Sequence, residues 1–355
     1  MLISDLELLN YRNYPKLNVI FTSGLNVIVG DNGVGKTNVV EAIHLFAFAK
    51  SFRTNDTKAL IKHDTAKAIV SGIIHIPSRT DISIELTNRS KRILINGKVL
   101  PKVSQLSKYV RTTTFEPEDV LFFDASPAKR RKFLDANLSS ADEVYLATLV
   151  RYEKLLKERN ALLKTDDNDE ALDLIDKLFI ELAKTIVEKR TRFIRELNKV
   201  VNEVLLKLSD EHLSVRLTYE SSLGSVQNIE RNGLKRLAEV RAKENILEST
   251  TLGPHRDDLI ATINGHGVKE HASQGQKRLI VIALALAPYF LEKDLHKKPI
   301  IILDDVLSEL DKRHQERLIE LLLTCTQAFI TATHYDNHAH AIYEVTSDRE
   351  LRRIT

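Results

Sequence analysis

Gly30-Asp31-Asn32-Gly33-Val34-Gly35-Lys36-Thr37-Asn38, GDNGVGKTN, sets three glycines within six positions and follows them with a lysine and a threonine. Glycine weakens any helix or strand it interrupts but tolerates positive φ, so such a stretch is a sharply turning loop. Leu25 to Val29 before it is a short continuous apolar run, and Val39, Ile43 and Phe46 after it recur at helical spacing. Strand, glycine loop and helix in this order, with the spacing G-x-x-x-x-G-K-T, make a phosphate-binding loop. Backbone N–H groups from Gly30 to Gly35 turn inward around phosphate oxygens, and the helix N-terminus adds its partial positive charge. Lys36 brings a point charge to the outer phosphates, Thr37 offers its hydroxyl to Mg²⁺, and Asn38 completes the set. A loop that merely joined a strand to a helix would have no use for Lys36.

Binding phosphate is half of a nucleotide site; hydrolysis also needs a carboxylate at the end of a neighbouring strand. Pro299-Ile300-Ile301-Ile302-Leu303-Asp304-Asp305 supplies an apolar strand with two acids at its C-terminal end, where ligands bind in such sheets. Asp304 is expected to support the hydrated metal and Asp305 to orient or deprotonate the attacking water. Small GTPases and kinases place their second acidic motif much closer to the loop. Between the two pieces lies Ser273-Gln274-Gly275-Gln276-Lys277-Arg278, directly before the apolar helix Leu279 to Ala287. It resembles the signature motif of ABC-type ATPases, in which a serine and a glycine backbone meet the γ-phosphate held by the other subunit. That makes Ser273, Gly275 and Gln276 candidate nucleotide contacts in trans; the plain alternative is Ser273 as an ordinary helix cap. Leu307-Ser308-Glu309-Leu310-Asp311 resembles the D-loop. Phe329-Ile330-Thr331-Ala332-Thr333-His334 reads as a strand ending in polar groups, which would put His334 near the γ-phosphate.

The 355 residues suffice for two domains, or for one with a large insertion. Lys and Arg number 52 against 49 Asp and Glu, so a nucleic-acid surface has to be a local patch rather than a global field. Cys325 is the only cysteine, which excludes an internal disulfide and fits a reducing, cytosolic compartment. Asp5 and Glu7 stand where a secretory signal needs a basic start. The longest apolar stretch, Leu279 to Leu291, is interrupted by Pro288 and is too short for a bilayer span, so no membrane association is expected.

Alternation at period two predicts strands at Leu6 and Leu8, at Leu17, Val19 and Phe21, at Ile74 and Ile76, and at Ile82, Ile84 and Leu86. Ile93 to Ile95 runs into Asn96-Gly97, a hairpin pair, so this part of the chain is an antiparallel sheet. From about Ser126 to Leu208 glycine disappears and apolar residues recur at helical spacing. Ile175, Leu178, Leu182, Ile186, Phe193, Leu197, Val201, Val204 and Leu208 form a stripe broken near Arg190. The acidic Thr165 to Asp169 is expected to turn between two helices. Period two returns at Leu213, Val215, Leu217 and Tyr219, a polar helix follows from about Ser225 to Leu247, and Leu259, Ala261 and Ile263 precede Asn264-Gly265.

Taken together these segments resemble the RecF family of bacteria, short relatives of the SMC proteins, over nearly the whole chain. LELLNYRNY with GLNVIVGDNGVGKTNVVEAIH is similar to the family's amino end, FEPEDVLFFDASPAKRRKFLD to its middle signature and TLGPHRDDL to a later one. SQGQKRLIVIALALA with PIIILDDVLSELDKRH is similar to the closing pair. The resemblance implies an α/β fold: an ABC-type P-loop ATPase head, with a mixed sheet and an antiparallel β-subdomain, plus an inserted helical domain. The head is expected at 1–115 and 246–355 and the insertion at 116–245. It also implies ATP as ligand, an ATP-dependent homodimer, DNA binding, slow hydrolysis, and cooperation with RecO and RecR in loading RecA at gaps. Arg12 in NYRNY stands where related ATPases place a basic residue near the phosphates. Two departures are visible: no Q-loop glutamine stands near Phe115-Glu116-Pro117, and Asp305 replaces the usual glutamate.

Lys129-Arg130-Arg131-Lys132 is the densest basic run and the candidate DNA contact, followed by Arg151, Lys154, Lys157 and Arg159 on a helical face. Neutralising phosphates releases counterions, so such residues would give salt-sensitive backbone binding. A solvated helix face is the alternative for the second group. Two other readings of the chain are open: a transporter-type ATPase subunit, which would co-purify with membrane, and a scaffold that binds ATP without releasing phosphate.

Overall fold

Residues 1–76, 78–165, 169–211 and 213–355 are described by the computed structural model. Two compact units divide the chain, the first comprising 1–120, 200–213 and 273–355, the second 121–199 and 214–272.

The first unit opens with β1 (Leu2–Tyr11), β2 (Tyr14–Ile20), β3 (Gly24–Val29) and α1 (Lys36–Phe48). Then come β4 (Lys67–Ile76), β5 (Ser78–Thr87), β6 (Lys91–Ile95), β7 (Lys98–Val99) and β8 (Thr112–Phe115). Six of these strands pair in the order β2-β1-β4-β5-β6-β7, antiparallel throughout. The period-two residues Leu6, Leu8, Val70, Ile74, Ile82, Ile84 and Leu86 are buried in one core with Val39, Ile43 and Phe46 of α1. Gly72 permits that packing: a Cβ there would stand 2.9 Å from the Phe46 ring. Asn96 and Gly97 take positive φ, 49° and 75°, as the β6–β7 turn requires.

The second unit contains α2 (Pro127–Ala141), α3 (Glu143–Leu162), the larger part of α4 (Asp169–Leu208), β9 (Val215–Glu220), α5 (Val226–Leu247), β10 (Asp258–Ile263), β11 (His266–Gly267) and the single turn α6 (Val268–His271). Of the acidic turn expected at 165–169, Asp166, Asp167 and Asn168 lie outside the described residues. The expected stripe runs through one helix of 40 residues, α4. Its break at Arg190 is a buried cation: the guanidinium reaches Asp135 (2.6 Å), Tyr145 (2.9 Å), Tyr219 (3.0 Å) and the Pro254 carbonyl (2.8 Å). Leu178, counted in the stripe, is exposed, and Phe179 takes the buried place. β9 pairs with β10, so residues 246–272 cluster with the helical unit rather than with the head segment in which they were expected.

The chain returns to the first unit at α7 (Gln274–Leu291), followed by β12 (Ile300–Leu303), α8 (Lys312–Leu323), β13 (Gln327–Ala332), β14 (Ala341–Val345) and β15 (Leu351–Arg353). A mixed sheet has the order β15-β14-β3-β13-β12-β8, parallel except for β14–β15. Successive residues of a strand face opposite sides. On β8, Thr114 and Thr112 contact His44 of α1, whereas Thr113 donates to the Ala285 carbonyl of α7. The two helices therefore cover opposite faces. A strand covered on both faces reads as a continuous apolar run, as β12 does; β3 and β13 are likewise buried but carry the hydrogen-bonded polar residues Asn26, Gln327 and Thr331.

A candidate phosphate site between neighbouring parallel strands

Two of those parallel strands deliver the site. β3 ends at Val29 and hands the chain to Gly30–Gly35; β12 ends at Leu303 and presents Asp304 and Asp305, with β13 between them. Thr37 Oγ1 donates to Asp304 Oδ1 over 2.9 Å across 267 residues of sequence. Thr331 of β13 donates to the same oxygen at 2.6 Å and accepts the Asp305 N–H at 2.9 Å. Asp304 is 5% exposed. Burial raises its carboxyl above the ordinary value, the Thr331 and Thr37 hydrogen bonds oppose this, Asp305 adds to it, and Arg53 opposes it.

Lys36 folds back over its own loop and donates to the carbonyls of Gly30 (2.7 Å) and Asp31 (2.9 Å). Burial lowers its ammonium while Asp305, Asp304 and Asp31 pull it back. Among the described residues no side chain caps α1, and no acid occupies its first turn, so its amides present unopposed positive ends. Gly35, at φ 123°, is forced as well as permitted: a Cβ would lie 2.7 Å from Asn13 Nδ2 and 2.9 Å from the Tyr14 hydroxyl.

These two neighbours hold the loop, and sequence reading missed them. Asn13 donates to the Val34 carbonyl (2.7 Å) and accepts from Asn38 (2.7 Å), Tyr14 donates to the Gly35 carbonyl (3.2 Å), and Arg53 reaches Asn38 (3.1 Å). Asn13 and Tyr14 directly follow the residue singled out in NYRNY, and Thr331 lies within the strand noted for His334; their polar side chains beside apolar runs were the available signal.

The other expected residues divide. Arg12 forms a bidentate pair with buried Glu41 (2.8 and 2.6 Å) and donates to the Ala59 carbonyl (2.8 Å). Ser273 caps α7 in a reciprocal box with Gln276, whose side chain also reaches Glu211 at 3.3 Å; Gly275 is exposed. The ring of His334 is exposed and pairs with Asp336 at 2.9 Å. Arg130 is a correction. It is buried, forms a bidentate pair with Asp258 (2.7 and 2.8 Å) and donates to the Phe122, Phe123 and Ala125 carbonyls, so its charge is spent internally. Arg131 donates to the Asp257 carbonyl (2.8 Å), and Lys132 is exposed. Arg159, grouped above with surface charges, is fully buried against Asp176 and Glu244. Among the described residues no helix is long and apolar enough to cross a membrane.

A family model described as the RecF/RecN/SMC N terminal domain matches residues 2–352. The "DNA replication and repair protein RecF" of Streptococcus suis (strain 05ZYH33) is 34% identical over 348 residues, 96% of this chain and 95% of that one. Its namesake in Clostridium perfringens (strain SM101 / Type A) is 35% identical over 337 residues, 92% and 93% of the two chains. Among solved structures, the recombination mediator protein RecF-ATPrS in the RecFOR pathway has a TM-score of 0.90 at 28% identity, covering 100% of this chain and 98% of that one. An Smc head domain from Pyrococcus furiosus, bound to the C-terminal domain of ScpA, has a TM-score of 0.59 at 18% identity, covering 99% and 96%, which is a likeness of fold. The loop, the acidic strand, the head architecture and these relationships agree: the chain belongs to the RecF family.

Proposed function

We propose that the protein is an ATP-dependent DNA-binding mediator of recombination in DNA replication and repair. In this reading ATP is held by Gly30, Asp31, Asn32, Gly33, Val34, Gly35, Lys36, Thr37 and Asn38. Two copies close on DNA when each lays Ser273, Gly275 and Gln276 against the other's nucleotide. The carrying observation is the Thr37–Asp304 hydrogen bond: a loop hydroxyl and an acidic-strand carboxylate meet where a nucleotide-bound cation is needed. The donor set fits Mg²⁺, which takes oxygen ligands and keeps several of its waters. Among the described residues Asp304 has no cationic partner in hydrogen-bond contact and is met by two hydroxyls, while burial works against its charge. Mg²⁺ would be held by Thr37 and Asp304 and would supply charge neutralisation at the transferring phosphate. Asp305 is the proposed base or water-orienting group, on a weak DNA-dependent ATPase whose main task is the clamp. RecO and RecR are proposed partners because a RecF relative's structure carries the name of the RecFOR pathway; RecA is proposed on the family resemblance alone.

Sedimentation of the wild-type chain with ATP and gapped duplex tests the reading at once for gating, stoichiometry and partner. An ATP-dependent dimer that co-sediments with DNA is expected. A monomer under all conditions would overturn the clamp, and membrane recovery would revive the transporter reading.

A further inference from the structure

The chain carries a charge asymmetry that the phosphate site does not use. Residues 50–111 hold 13 Lys and Arg against 4 Asp and Glu, whereas the remainder holds 39 against 45. From Glu85 to Glu116 no acid intervenes, and seven Lys or Arg do. On the outer face of the antiparallel sheet the charges are matched, Arg79 with Asp81 (3.1 Å) and Arg92 with Glu85 (3.8 Å). At one end of the same sheet they are not. Register places Lys67 opposite Thr87, and Leu86 opposite Lys91, so β4 starts, β5 ends and β6 starts together, with Arg89 in the turn between. Lys91 Nζ donates to the Ala49 carbonyl at 2.9 Å, which brings Lys50 to the same place. Lys50 bears on Lys91 as a like charge, and burial is the larger influence on it. Among the described residues Lys50, Lys67, Arg89 and Lys91 have no acidic partner.

We infer that this sheet end, Lys50, Lys67, Arg89 and Lys91, is a contact surface for the sugar-phosphate backbone of duplex DNA. The inference rests on the proposed DNA function and names its surface. Two strand spacings separate Lys67 from Lys91, about 10 Å, so the cations spread across a breadth of backbone rather than focusing on one phosphate. Exposed Asn88 is the one amide in that turn, beside Arg89; the four cations themselves offer charge to phosphates, which fits backbone contact as the main term. The run at 129–132 is the weaker surface, since Arg130 is internal.

The test replaces all four with glutamine and measures duplex affinity with ATP across a salt series. The expected result is a loss of at least tenfold and a log–log salt slope shallower by about 3, with ATP binding and dimerisation unchanged. Lys50→Gln with Arg89→Gln is the companion variant, because neither side chain makes a hydrogen bond among the described residues. It should lose about half of that slope. Wild-type affinity and slope in both variants would overturn the surface while leaving the DNA function standing. A wild-type chain that dimerises with ATP but ignores duplex would overturn the function itself, and tighter binding to phosphatidylglycerol vesicles than to duplex would overturn the choice of partner.

Discussion

Arg12 and Glu41 form a two-point ion pair, 2.8 and 2.6 Å, around a carboxylate with no exposed surface. Glu41 also accepts from the Tyr11 hydroxyl (2.8 Å) and from Ser51 (2.5 Å). It sits on α1, five residues past the lysine of the loop, so the pair ties the β1–β2 turn to the helix that presents Lys36. Burial pushes the Glu41 carboxyl up, but hydrogen bonds from Arg12 and Ser51 win and hold it below its ordinary value. Removing one partner strands the other: Glu41→Ala is expected to cost about 3–5 kcal/mol of stability. Urea unfolding of the variant checks this, and a change below 1 kcal/mol would refute the anchoring role.

Loop and acidic strand should behave as one ligand site. Lys36→Ala is expected to abolish ATP binding. Asp304→Asn should keep nucleotide but lose the stabilisation that Mg²⁺ adds to it. Saturating ATP and Mg²⁺ at a hundredfold excess over Kd should stabilise the wild-type fold by about 2.7 kcal/mol, largely reversed by EDTA. Thermal melts with and without chelator measure both effects, and an EDTA-insensitive shift in wild type would exclude metal at Asp304.

His255 gives the second unit a pH dependence. Its ring meets the Tyr152 hydroxyl at 2.7 Å and the Thr250 carbonyl at 3.1 Å. Burial lowers its pKa to about 4; the Thr250 contact opposes this, and Arg256, Arg131 and Arg159 add to it. The folded value lies below the unfolded one, near 6.5, so between them the unfolded chain binds more protons. The stability this neutral ring contributes is complete above pH 6.5 and is lost as pH falls toward 4, up to about 3 kcal/mol. Urea midpoints from pH 7.5 to 4.5 should fall, and His255→Gln should flatten the slope. An unchanged slope would assign the acid sensitivity to other groups.

The head was legible because its signals are local. GDNGVGKTN, the apolar run before Asp304 and the alternation of Leu6, Leu8, Ile82 and Ile84 each encode their element within a few residues. Three-dimensional neighbours were not legible: Thr331 meets Asp304 only because β13 lies between β3 and β12. Charge was misread for the same reason. Arg130 and Arg159 look like surface cations until Asp258, Asp176 and Glu244 arrive from distant segments. The boundary expected at 246 is too early, because β9 and β10 pair across the whole of α5 and 246–272 cluster with the second unit.

Ser273 and Asp305 separate dimer formation from chemistry. Ser273 is exposed at the start of α7, and its hydroxyl is used locally, by the Gln276 N–H at 3.2 Å. In the proposed clamp that corner meets the partner's nucleotide, so Ser273→Arg should bind ATP normally yet stay monomeric. Asp305 takes the left-handed conformation, φ 49°, and accepts from the Ser308 hydroxyl at 3.1 Å. Asparagine tolerates that φ and keeps an acceptor oxygen, so Asp305→Asn preserves the turn while removing the charge. It should bind ATP, dimerise and hold the dimer far longer than wild type, with turnover reduced at least a hundredfold, the lower range for a general base. Sedimentation and phosphate release on the two variants read the steps apart. A dimer in Ser273→Arg would remove the trans contact, and wild-type turnover in Asp305→Asn would move the base elsewhere.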